Sequence, residues 1–369
     1  MNRVKFKTIV SFIVVAVTIM VNAGLVQAQA KTDDYRWDKN WMWVYADLKK
    51  SDADWTAKLE RYKENGISGI LIGGGVPMLE KIIPLADQVG IDVHAWMWTL
   101  NRPGDKEAKQ HPDWYTVSRK GESCFDVHPY VDYYQWVCPS KEEVYKHIEK
   151  QVKELCAVEG LKGVHLDYVR YSDVILAKAL QPKYNLVQDK EYPEFDFCYC
   201  ETCQAKFKEQ SGIDVSKLED PTQSEEWRQY RYQSVTDLVN RLVKVAHQNN
   251  KLISAAVFPY PELARTICRQ SWDEWDLDAV FPMVYQNFYD ENMHWIKTST
   301  QKGVRDLNNE KPIITGLYLP QIPEGKFPIA VKKAFKGGAS GVAVFDEDKI
   351  TDEELMILNE LGTKYQTVK

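Results

Sequence analysis

Gly163-Val-His-Leu-Asp-Tyr-Val-Arg-Tyr171 is the stretch on which the fold turns. It is a short apolar and aromatic run that ends in charge. Alternate side chains of a strand share a face, so His165 and Asp167 point one way and Val164 and Leu166 the other. A carboxylate on a strand face that is otherwise buried is costly unless it is paired or used. At the C-terminal end of a barrel strand, such a residue stands where barrel enzymes build their active sites. The structural alternative is an Asp167 tied to a loop or to Arg170.

Working outward, seven further β-rich runs share this character: Trp41–Ala46, Gly69–Gly73, Asp92–Trp98, Leu252–Tyr260, Ala279–Tyr285, Pro312–Leu319 and Gly341–Glu347. Amphipathic segments separate them, over Trp55–Asn65, Leu79–Val89, Glu142–Val158, Ser224–Asn249, Asn292–Gly303, Lys326–Lys336 and Asp352–Leu361. Ser51 offers an N-cap to the first, and Ser140-Lys-Glu-Glu opens the third as a capping box. Eight such units in series predict an α/β fold of the (β/α)₈ TIM-barrel class. The rival is a doubly wound open sheet, but no Gly-rich phosphate loop follows the first strand. Gly73-Gly74-Gly75 lacks that spacing and reads as a tight turn.

Two connections are too long to be ordinary loops: 99–139 after strand 3 and 171–223 after strand 4. Both leave strand C-termini, so they overhang the face that carries barrel active sites. The organisation expected is a leader over 1–30 and one barrel over 31–369 with these two insertions.

The leader reading rests on Arg3, Lys5 and Lys7, an apolar run from Ile9 to Val21, and Ala28-Gln29-Ala30. This is the pattern of a secretory signal peptide, and the run is short for a membrane span. Cleavage removes three cations and no anion, taking the formal charge from −6 to −9. An acidic chain has no electrostatic footprint for nucleic acid. The expectation is an exported protein, periplasmic or extracellular, with no nucleic-acid partner and no remaining membrane span. Twelve Trp, 20 Tyr and 12 Phe make the chain aromatic-rich, which suits both a core and sugar stacking.

"GVHLDYVRY", with "HAWMW" at 94–98 and "HPDWYTVSRKG" at 111–121, resembles the glycosyl-hydrolase-like 10 group of secreted bacterial glycosidases. It is more distantly similar to α-amylase and α-galactosidase barrels, and "VFPMVYQ" at 280–286 and "GVAVFDED" at 341–348 suit them too. The resemblance spans roughly residues 38–360. It implies a glycosidase with Asp167 as nucleophile or transition-state stabiliser. Amylase-type barrels carry Arg two residues before that Asp, where this chain has His165.

Glycoside hydrolysis uses two carboxyl groups, ~5 Å apart for retention and ~6.5–9.5 Å for inversion. For the second, Glu262 after strand 5 comes first, because amylase-type barrels take their acid from that neighbourhood. Asp346 at the end of strand 8 is the other choice, and Asp126, Asp132 and Asp290 lie further off. Glu262 equally suits a helix N-terminal turn, and Asp346 a cap. His165 and Arg170 are candidates to position Asp167. Trp98, Asn101, Tyr285 and Tyr318 are candidates to bind sugar, while Trp41 and Trp43 read as core. An aromatic-lined cleft above strands 3 and 4 is expected.

Cys198, Cys200 and Cys203 form a C-x-C-x₂-C cluster that a fourth thiol from Cys124 or Cys138 could complete as a structural zinc site. Disulfides or free thiols are the alternative, with Cys156 and Cys268 as simple buried residues. No cofactor is expected for catalysis. The sequence has no H-E-x-x-H and no G-x-S-x-G. The reading is therefore a secreted glycoside hydrolase acting on an oligo- or polysaccharide. The rivals are a non-catalytic glycan-binding barrel and a metal-dependent hydrolase or deacetylase.

Overall fold

All eight runs form strands in the computed structural model, which describes residues 35–366. The leader reading falls on residues outside that range. The strands are β1 (Asn40–Val44), β2 (Ile67–Ile72), β3 (Asp92–Trp98), β4 (Gly163–Asp167), β5 (Leu252–Val257), β6 (Ala279–Pro282), β7 (Ile314–Tyr318) and β8 (Gly341–Phe345). They pair in the order β6-β5-β4-β3-β2-β1-β8-β7, every pair parallel. Parallel bridges Val280↔Ile313 and Met283↔Gly316 bring β6 to β7 and close the barrel. The doubly wound alternative is thereby excluded.

The helices are α1 (Asp52–Glu64), α2 (Gly75–Val89), α3 (Glu142–Cys156), α4 (Glu201–Ser211), α5 (Glu225–Gln248), α6 (Pro261–Cys268), α7 (Met293–Asp306), α8 (Phe327–Lys336) and α9 (Asp352–Gln366). Ser51 Oγ caps α1 by accepting the Asp54 N–H at 3.1 Å, and Ser224 Oγ caps α5 through Trp227 N–H at 3.2 Å. The box expected at Ser140 does not form. The Ser140 hydroxyl accepts from Tyr230 and its carbonyl from Lys206, so α3 starts after Lys141 without a side-chain cap. No helix among the described residues is long and apolar enough to cross a membrane.

Outward strand residues such as Val93, Ala95, Val164 and Leu166 join the helices in the main core. The lumen is filled instead by Trp37, Trp41, Trp43, Phe281 and smaller partners. Rings this large fit a fixed lumen only if facing positions carry no side chain. Gly69 meets that need, since a Cβ there would stand 2.4 Å from the Trp41 ring. Gly163 does the same for His94, whose ring would be 2.7 Å away. Trp41 and Trp43 are thus core, as their strand position implied.

The insertion after β3 holds two short 3₁₀ turns, Ala108–Gln110 and Pro112–Trp114. The one after β4 holds α4. The two are stitched by an antiparallel bridge Ser118↔Phe197 and by Arg119 N–H to Asp196 O at 2.8 Å. A buried ion cluster locks the second insertion down: Asp196 contacts Arg231 of α5, Arg269 at 3.6 Å and Arg119 at 3.2 Å.

Candidate active site

The mouth of the barrel is built around Asp167, the last residue of β4. Trp98 of β3 lies in register with it, and Trp96 stands one lumen layer below. Trp96 Nε1–H donates to Oδ2 at 2.9 Å, and the Tyr168 backbone N–H donates to Oδ1 at 2.7 Å. Tyr168 turns the chain with φ of 48°, in the left-handed region that a bulky residue rarely enters. Burial raises the Asp167 pKa above its ordinary value, opposed by the two donors and by the charge of Arg170. Asp167 as a whole is 9% exposed at the mouth.

An aromatic rim surrounds it. Trp98 and Tyr168 lie with ring centroids 4.6 Å apart, and Tyr133 approaches Trp98 at 6.1 Å. Trp98, Tyr133 and Tyr45 are exposed. Across the mouth, Tyr285 meets Tyr318 at 5.3 Å, Tyr318 stacks on Phe345 at 5.7 Å, and Phe345 meets Tyr45 at 5.9 Å. The hydroxyls of Tyr45, Tyr285 and Tyr318 bond to no partner among the described residues.

Two carboxylates act on this arc. Burial and then the charge of Asp167 push Tyr285 up. Burial and then the charge of Asp346 push Tyr45 up to about 12. Asp346 follows β8, opposite β4 in the barrel, is half-buried, and caps the next turn through Asp348 N–H at 3.1 Å. Its neighbour Glu347 is buried bracing, accepting from Tyr45 N–H at 2.6 Å and Tyr62 at 2.7 Å and pairing with Lys58.

The other sequence candidates separate. Glu262 needs correction as the acid. It lies on the first turn of α6, its side chain 79% exposed and 3.5 Å from Lys302 of α7. It belongs to the outer helical layer, where a helix N-terminus favours an acidic residue. Asn101 is fully buried and its Oδ1 accepts the Gln135 N–H at 2.9 Å, which pins the β3 insertion rather than offering a sugar contact. His165 is a lumen filler. Its Nδ1 bonds Ser254 Oγ at 2.9 Å, its ring packs on Phe281 at 4.8 Å, and burial holds its pKa well below 6.5, so it is neutral. Arg170 does not pair with Asp167. It pairs with Asp173 at 3.2 Å and lies over Trp136 and Phe258, bracing the loop below the rim. Asp126 and Asp132 are exposed, and Asp290 pairs with Lys178 at 3.0 Å.

The aromatic cleft is also narrower than expected. Trp114, Tyr115 and Trp136 are buried inside the insertion after β3, and Tyr130 stacks on Phe195 at 4.4 Å. The rim draws instead on Trp96, Tyr45 and Phe345, visible beforehand only as alternate positions of strands 1, 3 and 8. A cavity of about 660 Å³ opens behind β3, sharing Trp96 and Trp98 with the rim. Arg102 and Asp105 in its lining already pair with each other at 2.6 Å, and Asp167 does not border it. It flanks the mouth rather than forming its centre. Among the described residues no His/Asp/Glu group has a metal-ligating arrangement in the lumen.

The glycosyl hydrolase-like 10 model matches residues 26–334. No curated protein matches the chain in sequence. Among solved structures, the glycoside hydrolase domain of PgaB (BpsB) from Bordetella bronchiseptica aligns with a TM-score of 0.63 at 12% identity, covering 87% of this chain and 98% of that one. The catalytic domain of β-amylase from Paenibacillus polymyxa aligns with a TM-score of 0.59 at 12% identity, covering 89% and 99%. A β-galactosidase from Marinomonas ef1 aligns with a TM-score of 0.60 at 10% identity, covering 89% of this chain and 60% of that one. At such identities the likeness is one of fold.

Proposed function

The chain belongs to the glycosyl hydrolase-like 10 family, and from that premise we propose that it is an exported glycoside hydrolase cleaving an oligo- or polysaccharide with two carboxyl groups. The observation that carries this reading is Asp167, a buried carboxyl at the C-terminal end of β4, oriented by two N–H donors inside an aromatic rim. Donors on both oxygens hold it as an acceptor, while burial makes it more basic than a solvated carboxylate. Asp167 acts ionised, on the anomeric carbon or on the charge that develops there. Asp346, across the mouth, supplies and recovers the proton. Trp98 and Tyr133 offer ring faces to sugar, and the uncommitted hydroxyls of Tyr285 and Tyr318 can bond sugar hydroxyls.

A glycan panel assayed with wild type, Asp167→Asn and Asp346→Asn tests this. Loss of an acid or base costs about 10²–10⁴-fold, and each variant should fall by that order on a substrate the wild type cleaves. Equal turnover by wild type and Asp167→Asn removes Asp167 from the mechanism. Binding without turnover by the wild type favours a non-catalytic glycan-binding barrel.

A further inference from the structure

Four of the seven cysteines meet at one point. Cys138 closes the insertion after β3, and Cys198, Cys200 and Cys203 come from the insertion after β4. All four are buried, and their Sγ atoms lie within 4.8 Å of one another. Cys138 Sγ is 3.4 Å from Cys203 Sγ and 3.8 Å from Cys200 Sγ. Metal–sulfur bonds of ~2.3 Å in a tetrahedron put the sulfurs about 3.8 Å apart. A disulfide would bring two of them to ~2.05 Å. Four sulfurs crowded at the wider spacing fit a metal ion.

Positive ends of dipoles and cationic side chains lie beside the sulfurs. Cys200 is the N-cap of α4 and Cys203 lies in its first turn, at the positive end of the helix. The Val117 N–H donates to Cys198 Sγ at 3.4 Å. Lys141 bonds Thr202 at 3.1 Å and Lys206 bonds the Ser140 carbonyl at 2.6 Å, so two cations flank the cluster while tying the same two segments together. Cys124 stands apart, buried beside Thr116 and Trp136.

We propose that Cys138, Cys198, Cys200 and Cys203 bind one Zn²⁺ ion and that the site is structural, since four protein ligands leave no open position. The metal would join the two insertions beside the bridge they already share. Its reach extends to the rim. Trp136, two residues before Cys138, packs on Tyr168 at 5.7 Å, and Tyr168 supplies a backbone donor to Asp167. The ligands are therefore positioning residues for the active-site loop, and the proposal stands whether or not Asp167 hydrolyses glycans.

The full chain, purified without chelator, is tested by elemental analysis and zinc-edge X-ray absorption. One zinc per chain with four sulfur neighbours at ~2.3 Å is expected. Cys203→Ser should lose the metal and Cys124→Ser should keep it. Removing zinc should expose 99–139 and 171–223 to protease while the barrel keeps its far-ultraviolet dichroism. Reduced thiols without stoichiometric metal, iron in place of zinc, oxygen or nitrogen ligands, or an intact mass short of two or four hydrogens would each overturn the proposal. If Cys203→Ser does not fold, the wild-type absorption spectrum decides alone.

Discussion

Trp96→Phe isolates the electrostatics of Asp167. The substitution keeps an aromatic ring in the lumen next to Phe345, 6.4 Å away, and removes the indole N–H that donates to Oδ2 at 2.9 Å together with part of the bicyclic ring. A hydrogen bond to a charged group is worth about 1.5–3 kcal/mol. One pKa unit corresponds to ~1.36 kcal/mol, so the Asp167 pKa should rise by about 1–2 units relative to wild type. The sign is fixed by geometry: the lost donor served the ionised form, and burial already disfavours that form. On the proposed mechanism, in which Asp167 works ionised, the acidic limb of kcat/KM against pH should move up by that amount, with the basic limb in place. A carbon-13 titration of aspartate carboxyls gives the same number without substrate. An unmoved acidic limb with an unmoved titration would refute the hydrogen-bond account. A basic limb that moves up instead would make Asp167 the proton donor and reverse the two carboxyl roles.

Asp167→Asn should remove activity, and its stability relative to wild type should improve as pH rises, although its amide NH2 leaves one of the two N–H donors without an acceptor at every pH. A carboxyl with a raised folded pKa contributes its full stability below the ordinary value of 3.8 and loses it as pH rises through the folded value. The Tm of the variant minus that of wild type should therefore be higher at pH 7 than near pH 3; an equal difference at both would refute it. Asp196→Asn should act the other way. It leaves Arg231 and Arg269, both buried, without their shared anion. Breaking a buried pair costs about 3–5 kcal/mol, read by denaturant unfolding, and a loss below ~1 kcal/mol would show that the cluster is solvated.

The eight strands were legible because each is a short apolar run set off by turn residues, and period two assigned lumen and outer faces to Trp41, Trp43, His165 and Asp167. Helix starts were legible where a hydroxyl had no better partner, at Ser51 and Ser224. They were not at Ser140, whose polar atoms are taken by Tyr230 and Lys206 from distant helices. Periodicity gives the face of a strand but not the height of a side chain relative to solvent. That is why His165, one layer below Asp167, and Asn101, one turn into a loop, looked like site residues and are buried. The same limit applies to the aromatics of the insertion after β3. An insertion that long must carry its own small core to stay folded, and Trp114, Tyr115 and Trp136 supply it instead of lining a cleft.

The residue after Asp167 shows what no pattern could reveal. Tyr168 is neither Gly nor Asn, so nothing in its identity announces a left-handed φ of 48°. Such backbone is kept only where surrounding structure over-determines it. Trp98, Trp136 and Arg170 hold the Tyr168 ring from different sides. That grip aims the Tyr168 N–H back at the carboxylate and lifts the ring into the rim. One conformation thus serves both the charge of Asp167 and the stacking surface beside it. Anchoring by the two insertions is then a condition for the site and not an accessory to it, since Trp136 arrives from one and Arg170 opens the other.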